Sequence, residues 1–214
     1  MRVIRLKSND SYFIERAVNH LRKILKPGDI VLTGPIPNNI LSKYLHITLI
    51  VSNKILRGIT HSCIYLGDDK ILDIDYKIMR PGNAVEALTL KEFISGKIDY
   101  FGGLSLYVVK PKQYSRLQRR MVIQESREKF ISTKRKLTHT LRGSLVVGFR
   151  YIFFRKSLYK EDLTFQDDWT CGHMVAYILK RANVDIGKRA TYTFVPPMFT
   201  HNKHFIVDSK IIMK

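Results

Sequence analysis

Hydrophobic positions change their period several times along this chain, and each change marks an element. Ile14, Val18, Leu21, Ile24 and Leu25 fall on one helical face behind Asp10 or Ser11 as a cap, and Pro27-Gly28 ends the run, so residues 1–26 are predicted to supply an N-terminal packing helix. Gly28 to Leu32 reads as a short buried strand entered from a turn. Asn39 to Ser52 is apolar with a character, helical or strand, that the period does not separate. From Thr60 to Asp75, β-branched and apolar residues run into Gly67-Asp68-Asp69-Lys70 and out again, which is the pattern of a β-hairpin.

Ala84 to Ala87 reads as a short strand, Thr89 as the cap of a helical turn through Phe93, and Leu104 to Val109 as a strand closed by Lys110-Pro111. Gln113 to Arg135 has helical spacing with a narrow apolar stripe at Leu117, Met121 and Phe130. Asp168 or Thr170 caps a helix carrying Val175, Ile178 and Leu179, so Cys171 falls in its first turn. His204 to Lys214 is a final strand or loop. The sum is an α+β fold: a small, mainly antiparallel sheet with helices at one side. Residues 27–214 form its main domain, with a basic helical insertion around 113–160.

Charge changes this picture more than composition does. An apolar fraction of 45% over 214 residues suffices for a core without disulfides or metal, but 37 Lys+Arg against 18 Asp+Glu leave a net charge of +19. Such an excess favours an anionic partner: nucleic acid, a phospholipid surface or an acidic wall polymer. Arg116, Arg119, Arg120 and Arg127 concentrate it on the predicted basic helix, although most such runs are simply solvated faces. Gly143 to Phe154 is the most apolar segment, but it is short for a bilayer span and contains Arg150, so a buried element is expected. With no signal-peptide pattern, the expectation is a soluble protein made in the cytoplasm, a condition that carriage in a virus particle would also satisfy.

The chemistry sits in the hairpin. His61, Asp73 and Asp75 are polar residues inside predicted strands, and a histidine beside a carboxylate is two thirds of a nucleophilic hydrolase site. Only two cysteines exist, Cys63 and Cys171, so a disulfide framework and a zinc-type Cys/His spacing are both excluded, and no cofactor or metal is called for. Cys171, at a helix start, has the position that lowers a thiol pKa, whereas Cys63 is a mid-strand residue expected to line the core or site. His173 lies two positions from Cys171, the wrong side of a helix for pairing with it. If the hairpin loop has three residues, His61, Asp73 and Asp75 share one face; a two- or four-residue loop would put both carboxylates on the other. Strand parity allows either carboxylate.

Gly28-Asp29-Ile30-Val31, then His61-Ser62-Cys63-Ile64-Tyr65-Leu66-Gly67 with Asp73 twelve residues after the histidine, resembles the NlpC-type papain-fold superfamily. There a strand of the form His-Val-Gly-Ile-Tyr-Leu-Gly is followed by a polar catalytic residue at that offset. The candidate cysteine comes last here, as in the circularly permuted branch that holds the YiiX-like hydrolases and relatives of lecithin retinol acyltransferase. Val85 to Phe93, Leu104 to Val109 and Trp169-Thr170-Cys171-Gly172-His173-Met174-Val175 are similar to that branch's later elements. Cys63 stands where glycine or alanine is usual, and Gly172-His173 replace a common Ser-Glu pair.

The resemblance implies a papain-like sheet or half-barrel packed against helices, with Cys171 as nucleophile at a helix N-terminus, His61 as general base and acid, and Asp73 as the orienting residue. It implies a cysteine hydrolase cleaving an amide or peptide bond, with a cell-wall peptide as one candidate substrate. Two alternatives stand beside it: a lipid or thioester acyl hydrolase or transferase, and a non-catalytic basic structural protein, of a virion for example, built on the same scaffold.

Overall fold

A computed structural model describes residues 1–7, 12–36, 58–74, 85–132, 169–187, 194 and 196–214. Among them, seven strands form one sheet: β1 (Arg2–Leu6), β2 (Ile30–Pro35), β3 (His61–Gly67), β4 (Lys70–Ile74), β5 (Val85–Thr89), β6 (Leu104–Pro111) and β7 (Phe205–Met213). The order across the sheet is β1-β7-β6-β2-β3-β4-β5. Every pairing is antiparallel except β1 with β7. The helices are α1 (Phe13–Ile24), α2 (Leu90–Phe101), α3 (Arg116–Ser126), which runs on as a π-turn (Arg127–Ile131), α4 (Cys171–Arg181) and the short α5 (Met198–His201).

The expected α+β architecture is present, with differences of detail. The N-terminal residues contribute β1 as well as α1, and Tyr12 stands at the α1 N-cap without a side-chain cap bond. The cap candidates Asp10 and Ser11 lie outside the described residues, as do Asn39 to Ser52 and Gly143 to Phe154. The turn expected after Thr89 is a twelve-residue helix: Thr89 and Glu92 form a reciprocal capping box, and Gly102 closes α2 in the left-handed conformation.

Helices cover both faces of the sheet, not one, because strand residues of both parities are apolar. Val31, Cys63, Tyr65, Ile71, Leu104 and Leu106 pack with Ala17, Val18 and Leu21 of α1 and Leu90, Phe93 and Ile94 of α2. Ile30, Leu32, Ile64, Leu66, Leu72 and Ile74 pack instead with Val122 of α3, Phe130, and Met174, Val175 and Ile178 of α4. Each such fully buried aliphatic or aromatic side chain contributes about 1.5–3 kcal/mol. The central strands therefore read as continuous apolar runs, which makes the polar residues among them conspicuous.

Three local features set the position of β3. Gly34 lets the Gly58 backbone pass so close that a Cβ there would collide with the Gly58 carbonyl, and the Thr60 N–H donates to the Thr33 carbonyl at 2.9 Å. At the other end, Asp29 is buried, accepting from the Lys26 N–H at 3.0 Å and from Arg119 Nη1 at 2.7 Å. The β3–β4 connection is a two-residue turn, Asp68 (φ 51°) and Asp69 (φ 63°), in the left-handed region that hairpin turns of this kind require. A bulge between Tyr65 and Gly67 adds one residue to β3, so Ile64 pairs with Leu72 and Tyr65 with Ile71. The loop length differs from the three residues expected, but turn plus bulge give the same register at the site.

Candidate active site

That register, continued along the hairpin, sets Cys63 opposite Asp73 and aligns His61, Cys63 and Asp73 on the face covered by α2. His61 Nε2 is in hydrogen-bonding contact with Asp73 Oδ1, and Cys63 Sγ donates to the same oxygen at 3.3 Å. The second oxygen, Oδ2, faces Lys97 Nζ at 3.9 Å. Asp73 and Cys63 are fully buried, Lys97 is 5% exposed and His61 9%. Asp75, the other carboxylate that parity allowed, lies outside the described residues.

Lys97 was not legible as a site residue because α2 was expected to end at Phe93. With the helix extended to Phe101, Lys97 follows Phe93 by four and Ile94 by three residues, which puts it on the buried face. Its ammonium also lies 5.8 Å from the Phe93 ring centroid. A buried lysine without an anion nearby would be unstable in its charged form; Asp73 supplies that anion.

The electrostatics follow from this crowding. Burial and the Lys97 ammonium both oppose a charged imidazole, yet the Asp73 carboxylate in contact with the ring outweighs them, and the His61 pKa is raised well above 6.5. The Cys63 thiol is itself pushed up to about 12, first by burial and then by the Asp73 charge. Cys63 is therefore a neutral donor near pH 7, and we assign the holding of the imidazolium to Asp73. This agrees with Cys63 as a lining residue: a thiol that does not ionise is a poor nucleophile.

Cys171 is the first residue of α4, and the Thr170 hydroxyl caps the helix by accepting from the His173 N–H at 3.2 Å. Among the first residues of a helix the N–H groups have no intrahelical acceptor, so Cys171 sits in a positive backbone field. The side chain is 6% exposed. Helix α4 packs on the opposite face of the sheet from the His61–Asp73 pair, but Cys171 and His61 are both terminal residues of their elements, and a negative charge on Cys171 would favour the charged form of His61. The structure thus joins His61 directly to Asp73, with Cys171 at the start of the helix across the sheet.

Around Cys171 the packing is aromatic. His173 stacks on Trp169 with centroids 4.3 Å apart, and Phe130 and Tyr177 meet the Trp169 ring edge-on. Burial lowers the His173 pKa to about 4, so it is a neutral packing residue, as its helical position suggested. Trp169 Nε1 and Ser62 Oγ are buried and carry no hydrogen-bond partner among the described residues. His204 pairs with Asp185 at 2.9 Å.

One atom from each of His61, Cys63 and Asp73 lies within 4.8 Å of the others, a donor set that suits a soft or borderline metal ion by type. The arrangement fits a dication poorly. It would have to break the His61–Asp73 contact, deprotonate a thiol at about 12 and sit beside Lys97. No protein-family model and no curated protein matches the chain.

Proposed function

We propose that the chain is a cysteine hydrolase of the permuted NlpC type that cleaves amide or ester acyl groups, with Cys171 as nucleophile, His61 as base and acid, and Asp73 as the residue that orients His61. The observation that carries this reading is the engagement of His61 Nε2 by a buried carboxylate. That contact leaves Nδ1 as the ring nitrogen able to exchange a proton with a thiol. Charge balance points the same way: His61 and Lys97 bring two positive charges to the cluster and Asp73 one negative, and a Cys171 thiolate would offset the remainder.

The chemistry is acyl transfer. The Cys171 thiolate attacks the carbonyl carbon and the C–S bond forms; the C–N or C–O bond breaks as imidazolium Nδ1–H protonates the leaving group. Neutral His61 then takes a proton from water, whose oxygen attacks the thioester, releasing the acid and restoring the thiolate–imidazolium pair. Backbone N–H groups at the start of α4 are natural donors to the oxyanion. Trp169 Nε1 and Ser62 Oγ, neighbours in sequence of Cys171 and His61, have unused hydrogen-bonding capacity.

The test is a panel of activated esters and acyl-peptide amides followed by intact mass analysis. The reading expects an acyl adduct on Cys171 that accumulates at acid pH, turns over near neutrality and is lost in Cys171→Ala. An adduct on Cys63, or none with any acyl donor, would favour the non-catalytic scaffold.

A further inference from the structure

The exposed side of α3 forms, with Pro27 and Leu66, a cleft of about 660 Å³ whose wall carries Arg116, Arg119, Arg120 and Arg127. Arg116, Arg120, Ile123 and Arg127 are spaced by four, three and four residues, so they line one helical face. Arg119 is fixed: it binds the Asp29 carboxylate, donates to the Pro27 carbonyl at 2.9 Å and lies 4.1 Å from the Tyr114 ring centroid. Arg116, Arg120 and Arg127 are exposed, and their side chains make no hydrogen bond or ion pair among the described residues. The one acid in the cleft, Glu128, accepts from Gln124 at 2.8 Å.

Two classes of polyanion carry enough charge to match this face, and the apolar residues choose between them. The floor is aliphatic, Pro27, Leu66 and Ile123, and the same segment exposes Leu117 (66%) and Ile131 (41%) beside the arginines. Single-stranded nucleic acid seeks open aromatic faces on which to stack, and none of the described residues lining the cleft is aromatic. Exposed aliphatic side chains among unpaired arginines suit an interface where acidic headgroups lie above hydrocarbon. Among the described residues no helix is long and apolar enough to cross a membrane, so contact through this segment is peripheral.

We propose that the α3 face is a docking site for an anionic phospholipid surface, with Arg116, Arg120 and Arg127 on the headgroup phosphates and Leu117 inserted at the acyl boundary. This proposal is independent of the hydrolase reading. The experiment is co-sedimentation with phosphatidylcholine vesicles with and without phosphatidylserine, and in parallel retention on duplex DNA across a salt series. The full chain is expected to bind only the phosphatidylserine vesicles. Replacing the three arginines by glutamine should weaken that binding on the order of a hundredfold. Leu117→Gln should weaken vesicle binding about tenfold without changing DNA retention. Equal binding to both vesicle types, or vesicle binding unaffected by the triple replacement, overturns the proposal. So does DNA retention that depends on the three arginines in a chain that ignores anionic vesicles. All four positions are exposed, so the variants are expected to keep the fold.

Discussion

Asp73 divides its two carboxylate oxygens between opposing demands: Oδ1 receives His61 and Cys63, while Oδ2 faces Lys97 at 3.9 Å. A single buried carboxylate thus serves two cations. Asp73 raises the His61 pKa and the Lys97 ammonium lowers it, so the lysine tunes how tightly the ring keeps its proton.

Replacing Lys97 by methionine tests that relationship, because methionine fills similar space without the charge. The ammonium lowers the His61 pKa, so its removal should raise that pKa further. The imidazole carbon-bound proton resonances, followed against pH, report this directly. An unchanged or lowered midpoint would mean that Lys97 does not act on the ring.

Asp73→Asn should move the same midpoint the other way. With the carboxylate neutralised, burial and Lys97 are opposed by less negative charge, and the ring should lose its proton at lower pH than in the parent. Lys97 would then be buried without its anion, and removing one partner of a buried pair costs about 3–5 kcal/mol. Urea unfolding of the two proteins measures the loss; a variant as stable as the parent would contradict the ion-pair description.

His61, buried, and His173, part-buried, give stability opposite dependences on pH. His61 has a folded pKa above its unfolded value of 6.5, so its contribution is fully present below about 6.5 and is lost as pH rises through the raised value. His173, pushed down to about 4 by burial, contributes nothing above 6.5. Between about 6.5 and 4 the unfolded chain takes up a proton that the native chain refuses, which destabilises the fold by roughly 3 kcal/mol at the lower limit. His173→Phe keeps the stack on Trp169 and should flatten this acid limb relative to the parent. His61→Gln should flatten the alkaline limb. Urea midpoints across pH separate the two.

The hairpin and the capped starts of α2 and α4 were legible because each rests on local chemistry: alternation, turn residues and N-cap hydroxyls. Alternation also put carboxylates on the His61 face, but only the family resemblance preferred Asp73 to Asp75. Lys97 was not legible, since the helix that carries it runs through Gly96, a residue of low helix propensity, and tertiary packing of Leu90, Phe93 and Ile94 overrides that preference. The two-residue turn and the Tyr65/Gly67 bulge offset each other, and sequence spacing cannot distinguish that pair from a longer loop. β1 escaped notice because its pairing with β7 joins the two ends of the chain, a contact with no local signature. The placement of α4 across the sheet from the His61–Asp73 pair is likewise a tertiary property, set by which strand parity meets which helix.

Activation of Cys171 by His61, with Cys63 inert, is read by the rate of thiol alkylation at each cysteine against pH, followed by peptide mass analysis. Cys171 should react at least tenfold faster than Cys63 near neutrality, with a reactive plateau extending below the pH at which an ordinary thiol ionises. In His61→Ala that advantage should vanish while Cys63 stays unreactive. Equal rates at the two cysteines, or a Cys171 rate that His61→Ala leaves untouched, would contradict that activation.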